Sequence, residues 1–251
     1  MDWLEVMPNA RVADVGCGAG GVTTLLAERV GQGGAVIAVD VAGAHLEATR
    51  VRLEGTPYAS RVTYQLGSVD DLRLEPASLD LVWCSHVVHG QPDALHSLRS
   101  LRDSLKVGGR LALREDPALT RLLPSVEGEA AGLEGRIAAF LSEDHAAWRR
   151  SLPDATPRTL GWIGLLLEAG FSDVRVKSAM LELVQPLGEQ QRQYLTAQLE
   201  GLRAEAGLRD ALPPTDREWL ERWTDPSSDL YALKRPDLHA LECLTVFVGC
   251  A

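Results

Sequence analysis

The run from Val12 to Gly21, VADVGCGAGG, constrains the fold of this chain more than any other stretch. Val12 and Val15 suit a buried strand of a parallel sheet, and the residues after Gly21 begin an apolar pattern with helical spacing. The glycines between them allow a tight turn and let a ligand approach the backbone closely. The stretch therefore predicts a strand, a glycine loop and a helix, an arrangement that binds nucleotide-like ligands.

Two cofactor classes are compatible with this loop. The spacing Gly16-x-Gly18-x-x-Gly21 satisfies the dinucleotide fingerprint of nicotinamide and flavin enzymes. Asp14, however, stands at the end of the strand, just before the turn. A carboxylate there repels a pyrophosphate placed at the helix N-terminus, where backbone N–H groups attract anions. The loop therefore favours a ligand with a cationic group, while an NAD-type oxidoreductase stays as the alternative.

The segment from Asp14 to Gly20, DVGCGAG, resembles the glycine loop of class I S-adenosylmethionine-dependent methyltransferases. The resemblance implies that Gly16, Cys17, Gly18 and Gly20 surround the methionine part of S-adenosylmethionine and that Asp14 helps to bind its ammonium group. A glycine-rich turn without a ligand, or an adenosylmethionine-binding protein without catalysis, are the other interpretations.

The second predicted strand, Ala35 to Asp40, is a nearly continuous apolar run that ends in a carboxylate, as is typical of a central parallel strand. Asp40 is placed to accept hydrogen bonds from both ribose hydroxyls of an adenosine, and Val41 follows it in the predicted cofactor site. Both cofactor classes need such an acid. The alternative is a helix N-cap or a solvated turn acid.

Arg61 to Leu66 reads as the third strand, and the turn after it is predicted to bind adenine. The resemblance implies an acidic residue in this turn that accepts a hydrogen bond from the adenine amino group. Ser68 stands at that position here, so we assign adenine recognition to Ser68, Val69 and Asp70 together. Asp70 as an exposed turn acid is the alternative.

The fourth predicted strand ends at Cys84, and the resemblance places this strand end beside the methyl group that is transferred. His89 is the first candidate for a general base and His86 the second, because an imidazole can take a proton near neutral pH. Their i, i+3 spacing would also suit a metal pair, but no further ligand has metal-site spacing nearby, so we predict no metal. A capping or packing role for His89 is the alternative.

The segment LKVGGRLAL, from Leu105 to Leu113, resembles the family's L-K-P-G-G turn and the strand that follows it. Together with the strand–helix alternation, it predicts an α/β fold with a Rossmann-like seven-stranded methyltransferase sheet, helices on both faces and an antiparallel last strand. We expect one domain over residues 1–251, with the following parts: a cofactor-binding core at 10–115, a helical cap insertion at 116–157, and a C-terminal half of the sheet at 158–251 that contains a helical insertion at 186–238.

Within the cap, prolines at 117, 124, 153 and 157 bracket a predicted helix from Gly128 to Arg150. An insertion after the fifth strand would lie over the carboxyl ends of the strands, where open α/β sheets bind ligands. His145 and Trp148 are therefore the candidate substrate-binding residues. A packing helix without substrate contact is the alternative.

The net charge of −10 argues against nucleic acid as a partner, because affinity for nucleic acid needs clustered Lys and Arg. We expect a small-molecule substrate, methylated on an O, N or C atom. The sequence shows neither a signal peptide nor a membrane span, and its four cysteines form no C-x-x-C pair. We therefore expect a cytoplasmic protein without a membrane partner. Only about ten residues precede the first strand, so we expect either that the chain starts late or that another segment, the cap or the second subunit of a homodimer, covers the cofactor.

Overall fold

A computed structural model gives the architecture of the chain and describes residues 2–115, 119–123 and 131–251. Its strands are Arg11–Val15 (β1), Ala35–Asp40 (β2), Val62–Leu66 (β3), Leu79–Ser85 (β4), Leu105–Arg114 (β5), Leu119–Arg121 (β6), Ser172–Val184 (β7) and His239–Cys250 (β8). Its α-helices are Gly21–Arg29 (α1), Gly43–Leu53 (α2), Ala94–Asp103 (α3), Leu133–Ser151 (α4), Trp162–Glu168 (α5), Glu189–Ala204 (α6), Leu208–Ala211 (α7) and Pro214–Thr224 (α8).

The chain divides into two compact units. The first consists of Met1–Asp116, Leu152–Ser178 and Thr245–Ala251, and the second of Pro117–Ser151 and Ala179–Leu244. The division falls within β7 and within β8. The second unit thus combines most of the segment predicted as the cap with all of the insertion predicted at 186–238.

In the first unit the strands follow the order β3-β2-β1-β4-β5-β8, and β7 pairs with β8. The strands from β3 to β5 are parallel, whereas β8 runs antiparallel to β5, with Leu113 opposite Phe247. The order reverses between β1 and β4, which are neighbours although two strands separate them in the chain. Ligands of open α/β sheets bind at such a switch point, outside the carboxyl ends of the strands.

Buried residues on both faces of β1 hold this switch point in place. Val12 is fully buried in a cluster with Leu26 of α1, and Ala13 is fully buried in a second cluster with Leu98 of α3. A central parallel strand is apolar on both faces because helices cover both sides of the sheet. The glycine loop that follows β1 therefore begins at a position that the buried core holds in place.

The second unit has its own core. Leu133 and Ile137 of α4 lie in one buried cluster with Leu195 of α6 and Trp223 of α8. Arg136 of the same helix forms an ion pair with the buried Asp216 of α8. The apolar residues that predicted the cap helix thus pack, in the first turns of α4, into the core of this unit.

The seven predicted strands and the antiparallel last strand are confirmed. The three-residue strand β6 and the short helix α7 were not predicted, because each is too short to show a hydrophobic period. The predicted cap helix is described from Leu133 onward, and its first predicted residues, with Pro117 and Pro124, lie outside the described residues.

The prediction that the Lys106 to Arg110 segment is a turn before the fifth strand needs a correction. The strand β5 already begins at Leu105, opposite Leu79, and resumes regular pairing with Arg110 opposite Leu81. Residues 106–109 form an excursion within the strand, and Gly108 has a φ of 78° there. The glycines accommodate this irregularity inside the strand. They do mark a local change of direction in the backbone, but the prediction that the strand begins only after it was wrong.

Within the described ranges, none of the helices is both long enough and apolar enough to cross a membrane.

Candidate active site

The glycine loop after β1 is a backbone cradle. Gly16, Gly18 and Gly20 all have left-handed φ angles, of 75°, 53° and 76°, which side chains rarely tolerate. The N–H groups of Gly16 and Cys17 both donate to the carbonyl of Val39, at 2.8 and 3.0 Å. A Cβ atom on Gly18 would meet nothing within 4 Å, so this part of the loop faces open space.

Asp14 lies beneath this loop with 1% of its surface exposed. The Thr23 hydroxyl donates to its carboxylate at 2.6 Å. Burial raises the pKa of Asp14 to about 6; the Thr23 hydrogen bond opposes this shift, and the negative charge of Asp40 adds to it. Two acids therefore give the loop a negative potential, which suits a cationic ligand group and opposes a pyrophosphate.

Asp40 stands at the carboxyl end of β2, beside the loop. Its carboxylate accepts hydrogen bonds from the N–H groups of Gly18 at 3.0 Å and Ala42 at 2.9 Å, and it lies 3.1 Å from Nδ1 of His45. The adjacent Val41 is exposed. These contacts fix the orientation of the carboxylate, and its two oxygens have capacity for further donors such as ribose hydroxyls.

Thr49 of α2 supports the loop from below, a role that the sequence did not indicate. Its hydroxyl donates to the carbonyl of Gly18 at 2.8 Å and lies 3.6 Å from Sγ of Cys17. Burial raises the pKa of the Cys17 thiol to about 11, so this cysteine is a neutral packing group of the loop. A buried threonine in a helix has no spacing signal that links it to a loop 31 residues away.

In the turn after β3, two of the predicted adenine-binding residues contact their own surroundings. The Ser68 hydroxyl accepts from the N–H of Asp70 at 3.3 Å, and the Ser97 hydroxyl of α3 donates to the Asp70 carboxylate. Val69 between them is buried. These contacts order the turn, and adenine recognition by its residues stays a prediction.

The end of β4 lies next to the glycine loop, because Cys84 pairs with Val15 of β1. Cys84 is fully buried, and burial raises the pKa of its thiol well above the usual range. The strand leads into His86, which has a left-handed φ of 55°. The exposed His86 ring is crowded by protein on one side, and this desolvation, with the nearby charge of Arg114, lowers its pKa.

Glu115, directly after β5, is the residue that organises the segment between β4 and α3. Its side chain has no exposed surface. One carboxylate oxygen accepts from the N–H groups of Val87 at 2.9 Å and Val88 at 2.7 Å. The other accepts from the N–H of His89 at 3.2 Å and lies 2.7 Å from its Nδ1. The sequence did not indicate this role for Glu115.

His86, His89 and Glu115 offer nitrogen and oxygen atoms that all lie within 4.8 Å of one another. The two imidazole rings are 5.9 Å apart, edge to face. Both oxygens of Glu115 are already engaged by the segment at 87–89, and Nδ1 of His89 is one of the atoms that engage them. Catalytic zinc sites use three protein ligands. The absence of a metal stays a prediction.

His145 and Trp148 belong to α4 of the second unit. Their rings lie 5.4 Å apart, and Trp148 is 44% exposed. The pair is thus an aromatic contact on a partly exposed helix face, and its role in binding a substrate stays a prediction.

Residues 12–109 match the family described as a methyltransferase domain. The ubiquinone biosynthesis O-methyltransferase of Xanthomonas campestris is 39% identical over 109 residues, which are 43% of this chain and 43% of that protein. The ubiquinone/menaquinone biosynthesis C-methyltransferase UbiE of Pectobacterium carotovorum is 28% identical over 177 residues, 67% of this chain and 69% of that protein. The YcgJ protein of Bacillus subtilis has a TM-score of 0.55 at 15% identity, over 99% of this chain and 97% of that one.

The matched segment is the part of the chain that carries the glycine loop, Asp40 and the end of β4. The chain spans less than half the length of the O-methyltransferase that it matches, and the structural likeness to YcgJ concerns the fold. The sequence match, the strand order and the loop geometry agree with the resemblance seen in the sequence. Residues 12–109, which carry this site, are thus similar to a methyltransferase domain.

Proposed function

We propose that this protein transfers a methyl group from S-adenosylmethionine to an O, N or C atom of a small-molecule metabolite. The observation that carries the proposal is the pair of buried acids, Asp14 and Asp40, on an open glycine loop at the switch point of the sheet. A positively charged ligand with a ribose fits these groups, because one acid lies under the loop and the other beside it.

The residues present fit S-adenosylmethionine. Gly16 to Gly20 would hold its methionine part, with the charge of Asp14 attracting the cationic end from below. Asp40 would accept the ribose hydroxyls, and the turn from Ser68 to Asp70 would contact the adenine. When bound, this cofactor supplies a methyl group on a positively charged sulfur, and the C–S bonding pair stays on sulfur to leave a neutral thioether.

The main contribution of the protein to the reaction is to hold the methyl group and its acceptor in line. Holding two reacting groups in line can lower a barrier by up to ~7–11 kcal/mol in favourable cases. The rigid carboxyl ends of β1 and β4 supply the fixed frame for such alignment. His89 would remove a proton from an acceptor that carries one, and His86 is the second candidate for this role.

An NAD-type oxidoreductase is the main alternative. Asp14 opposes it through its repulsion of a pyrophosphate, whereas Asp40 suits both cofactor classes. A non-catalytic adenosylmethionine-binding protein would keep the loop and Asp40. Methyl transfer to a metabolite in the presence of S-adenosylmethionine would distinguish catalysis from binding alone.

Calorimetry with S-adenosylhomocysteine and with NADH tests the proposal. We expect S-adenosylhomocysteine to bind, and Asp40→Ala to weaken its affinity by about 10- to 100-fold, since hydrogen bonds to a charged group contribute ~1.5–3 kcal/mol. Asp71→Ala is the matched control, because the Asp71 side chain is 77% exposed. Binding of NADH without binding of S-adenosylhomocysteine would refute the proposal.

We further propose that the protein acts in the cytoplasm. Its four cysteines are free thiols, as suits a reducing compartment. A negatively charged chain is a poor ligand for nucleic acid, which supports a small-molecule acceptor. A homodimer that covers the cofactor remains a prediction.

A further inference from the structure

The carboxylate of Asp40 already has hydrogen-bond partners at most of its acceptor positions. A carboxylate offers about four such positions, shared by its two oxygens. Oδ1 accepts from the N–H of Ala42 at 2.9 Å and lies 3.1 Å from Nδ1 of His45, while Oδ2 accepts from the N–H of Gly18 at 3.0 Å. Among the residues that the structure describes, these three groups are its partners. They leave about one further position, which lies on Oδ2.

The three contacts of Asp40 differ in what must move to break them. Gly18 belongs to the glycine loop, whose carbonyl at this residue Thr49 holds at 2.8 Å, and Ala42 is the N-cap of α2. Either N–H can leave only if backbone moves. His45, by contrast, makes its contact through a side chain in the first turn of α2, and this side chain is 56% exposed. Exposed side chains change rotamer within nanoseconds, so the His45 ring is the partner that a ligand can displace.

The direction of the hydrogen bond between His45 and Asp40 is fixed by the acid. A carboxylate only accepts, so Nδ1 of His45 must carry the hydrogen, whether the ring is neutral or charged. A ribose hydroxyl is also a donor to a carboxylate. The imidazole and a hydroxyl are therefore alternative donors to the same oxygen, and Oδ1 cannot serve both while it keeps the N–H of Ala42.

We infer that His45 and one ribose hydroxyl compete for the same acceptor position on Asp40, so that the ring leaves Oδ1 when the cofactor binds. The inference rests on the proposed function and adds to it a residue that tunes affinity at the ribose. Two adjacent hydroxyls need two acceptor positions, and the contacts of Asp40 leave only the one on Oδ2. His45 is accordingly a positioning residue that determines how much the second hydroxyl contributes to binding.

The strengths of the two competing contacts predict which donor prevails. A charge pair with an exposed partner contributes at most about fivefold to an equilibrium constant, whereas a hydrogen bond to a charged group contributes about 10- to 100-fold. The hydroxyl therefore displaces the ring, and the lost ring contact lowers cofactor affinity by up to about fivefold. A ligand with a single ribose hydroxyl binds through Oδ2 and leaves the ring in place. The site consequently discriminates less between ribose and deoxyribose than it would without His45.

The test is calorimetry of the full chain with S-adenosylhomocysteine and with its 2′-deoxy and 3′-deoxy analogues. We expect His45→Ala to bind S-adenosylhomocysteine about two- to fivefold more tightly than the wild type. His45→Phe should do the same, because it keeps a ring but has no donor. For one of the two analogues, the loss of affinity on removal of the hydroxyl should be larger in His45→Ala than in the wild type, by the same factor.

His96→Ala is the matched control. His96 is the third residue of α3, as His45 is of α2, and it is exposed. Its removal should change neither the affinity for S-adenosylhomocysteine nor the discrimination between ribose and deoxyribose. This comparison separates competition at Asp40 from a general effect of removing an imidazole from the start of a helix.

Several results would overturn the inference. Equal affinity of His45→Ala and wild type for S-adenosylhomocysteine would do so, as would equal discrimination against both deoxy analogues. Wild-type affinity in His45→Phe beside tighter binding in His45→Ala would show that ring bulk, rather than the hydrogen bond, opposes the ligand. A crystal structure of the complex should have a ribose hydroxyl on Oδ1 of Asp40, and a retained contact with His45 would contradict this.

The inference and the proposed function fail in different ways. If the wild type does not bind S-adenosylhomocysteine, both are refuted together. If it binds S-adenosylhomocysteine while the His45 variants and the complex behave as just described for the contrary case, only the competition at Asp40 is refuted.

Discussion

The strongest prediction concerns the buried Asp14, whose ionisation should weaken the fold while it prepares the cofactor site. Burial raises its pKa from an ordinary value of 3.8 to about 6. Between these two values the folded protein binds more protons at this site than the unfolded chain, so stability falls as pH rises through this window. A shift of about two pKa units corresponds to ~3 kcal/mol above pH 6.

Asp14→Asn removes this cost and keeps an oxygen that can accept from the Thr23 hydroxyl. The difference in free energy of unfolding between variant and wild type should be small near pH 4 and should grow to ~3 kcal/mol in favour of the variant at pH 7. Urea unfolding at half-unit pH steps measures it. All other ionisable groups are the same in both proteins, so the difference isolates Asp14.

The same substitution should weaken binding of S-adenosylhomocysteine above pH 6, because the cationic ligand loses the charge beneath the loop. Asp71→Asn should change neither quantity, since that side chain is largely exposed. A stability difference between Asp14→Asn and wild type that does not change from pH 4 to pH 7 would refute the argument, as would an unchanged affinity for the ligand at pH 7.

Two further perturbations test the loop and the second unit. Gly16→Ala adds a Cβ atom only 2.1 Å from Cγ2 of Val87, at a residue whose φ is 75°. The substitution should therefore displace the loop and weaken binding of S-adenosylhomocysteine by at least about 10-fold in calorimetry. Normal binding would show that the loop is not the cofactor cradle. Trp223→Ala should destabilise the second unit by ~3–5 kcal/mol, because this side chain is 1% exposed, and near-native urea unfolding of that unit would contradict its assignment as a core residue.

The parts of the fold that the sequence predicted are those whose signals are local. The apolar run before Asp40, the glycines after Asp14 and the alternation of strands and helices each lie within about ten residues, and the structure has them at the predicted positions. The parallel part of the sheet followed from these elements, because their order and handed connections leave few arrangements for a parallel sheet.

The parts that the sequence could not predict depend on partners that are distant in the chain. Glu115 contacts a histidine 26 residues earlier, and Asp70 accepts from a serine 27 residues later. A carboxylate after a strand is compatible with a turn, a ligand contact or a buried pair, and only tertiary packing distinguishes them. The excursion inside β5 has the same origin, since its glycine signal is local but the pairing of Leu105 with Leu79 is not.

The cofactor loop and the proposed base are joined by a short chain of contacts. Gly16 leaves room for the Val87 side chain, and the N–H of Val87 donates to the oxygen of Glu115 that also accepts from Val88. The second oxygen of Glu115 holds the His89 ring. The segment that carries His89 therefore lies against the glycine loop, and the carboxylate of Glu115 holds that segment from the end of the neighbouring strand β5. The position of the segment at 87–89, beside the glycine loop, thus depends on one buried carboxylate.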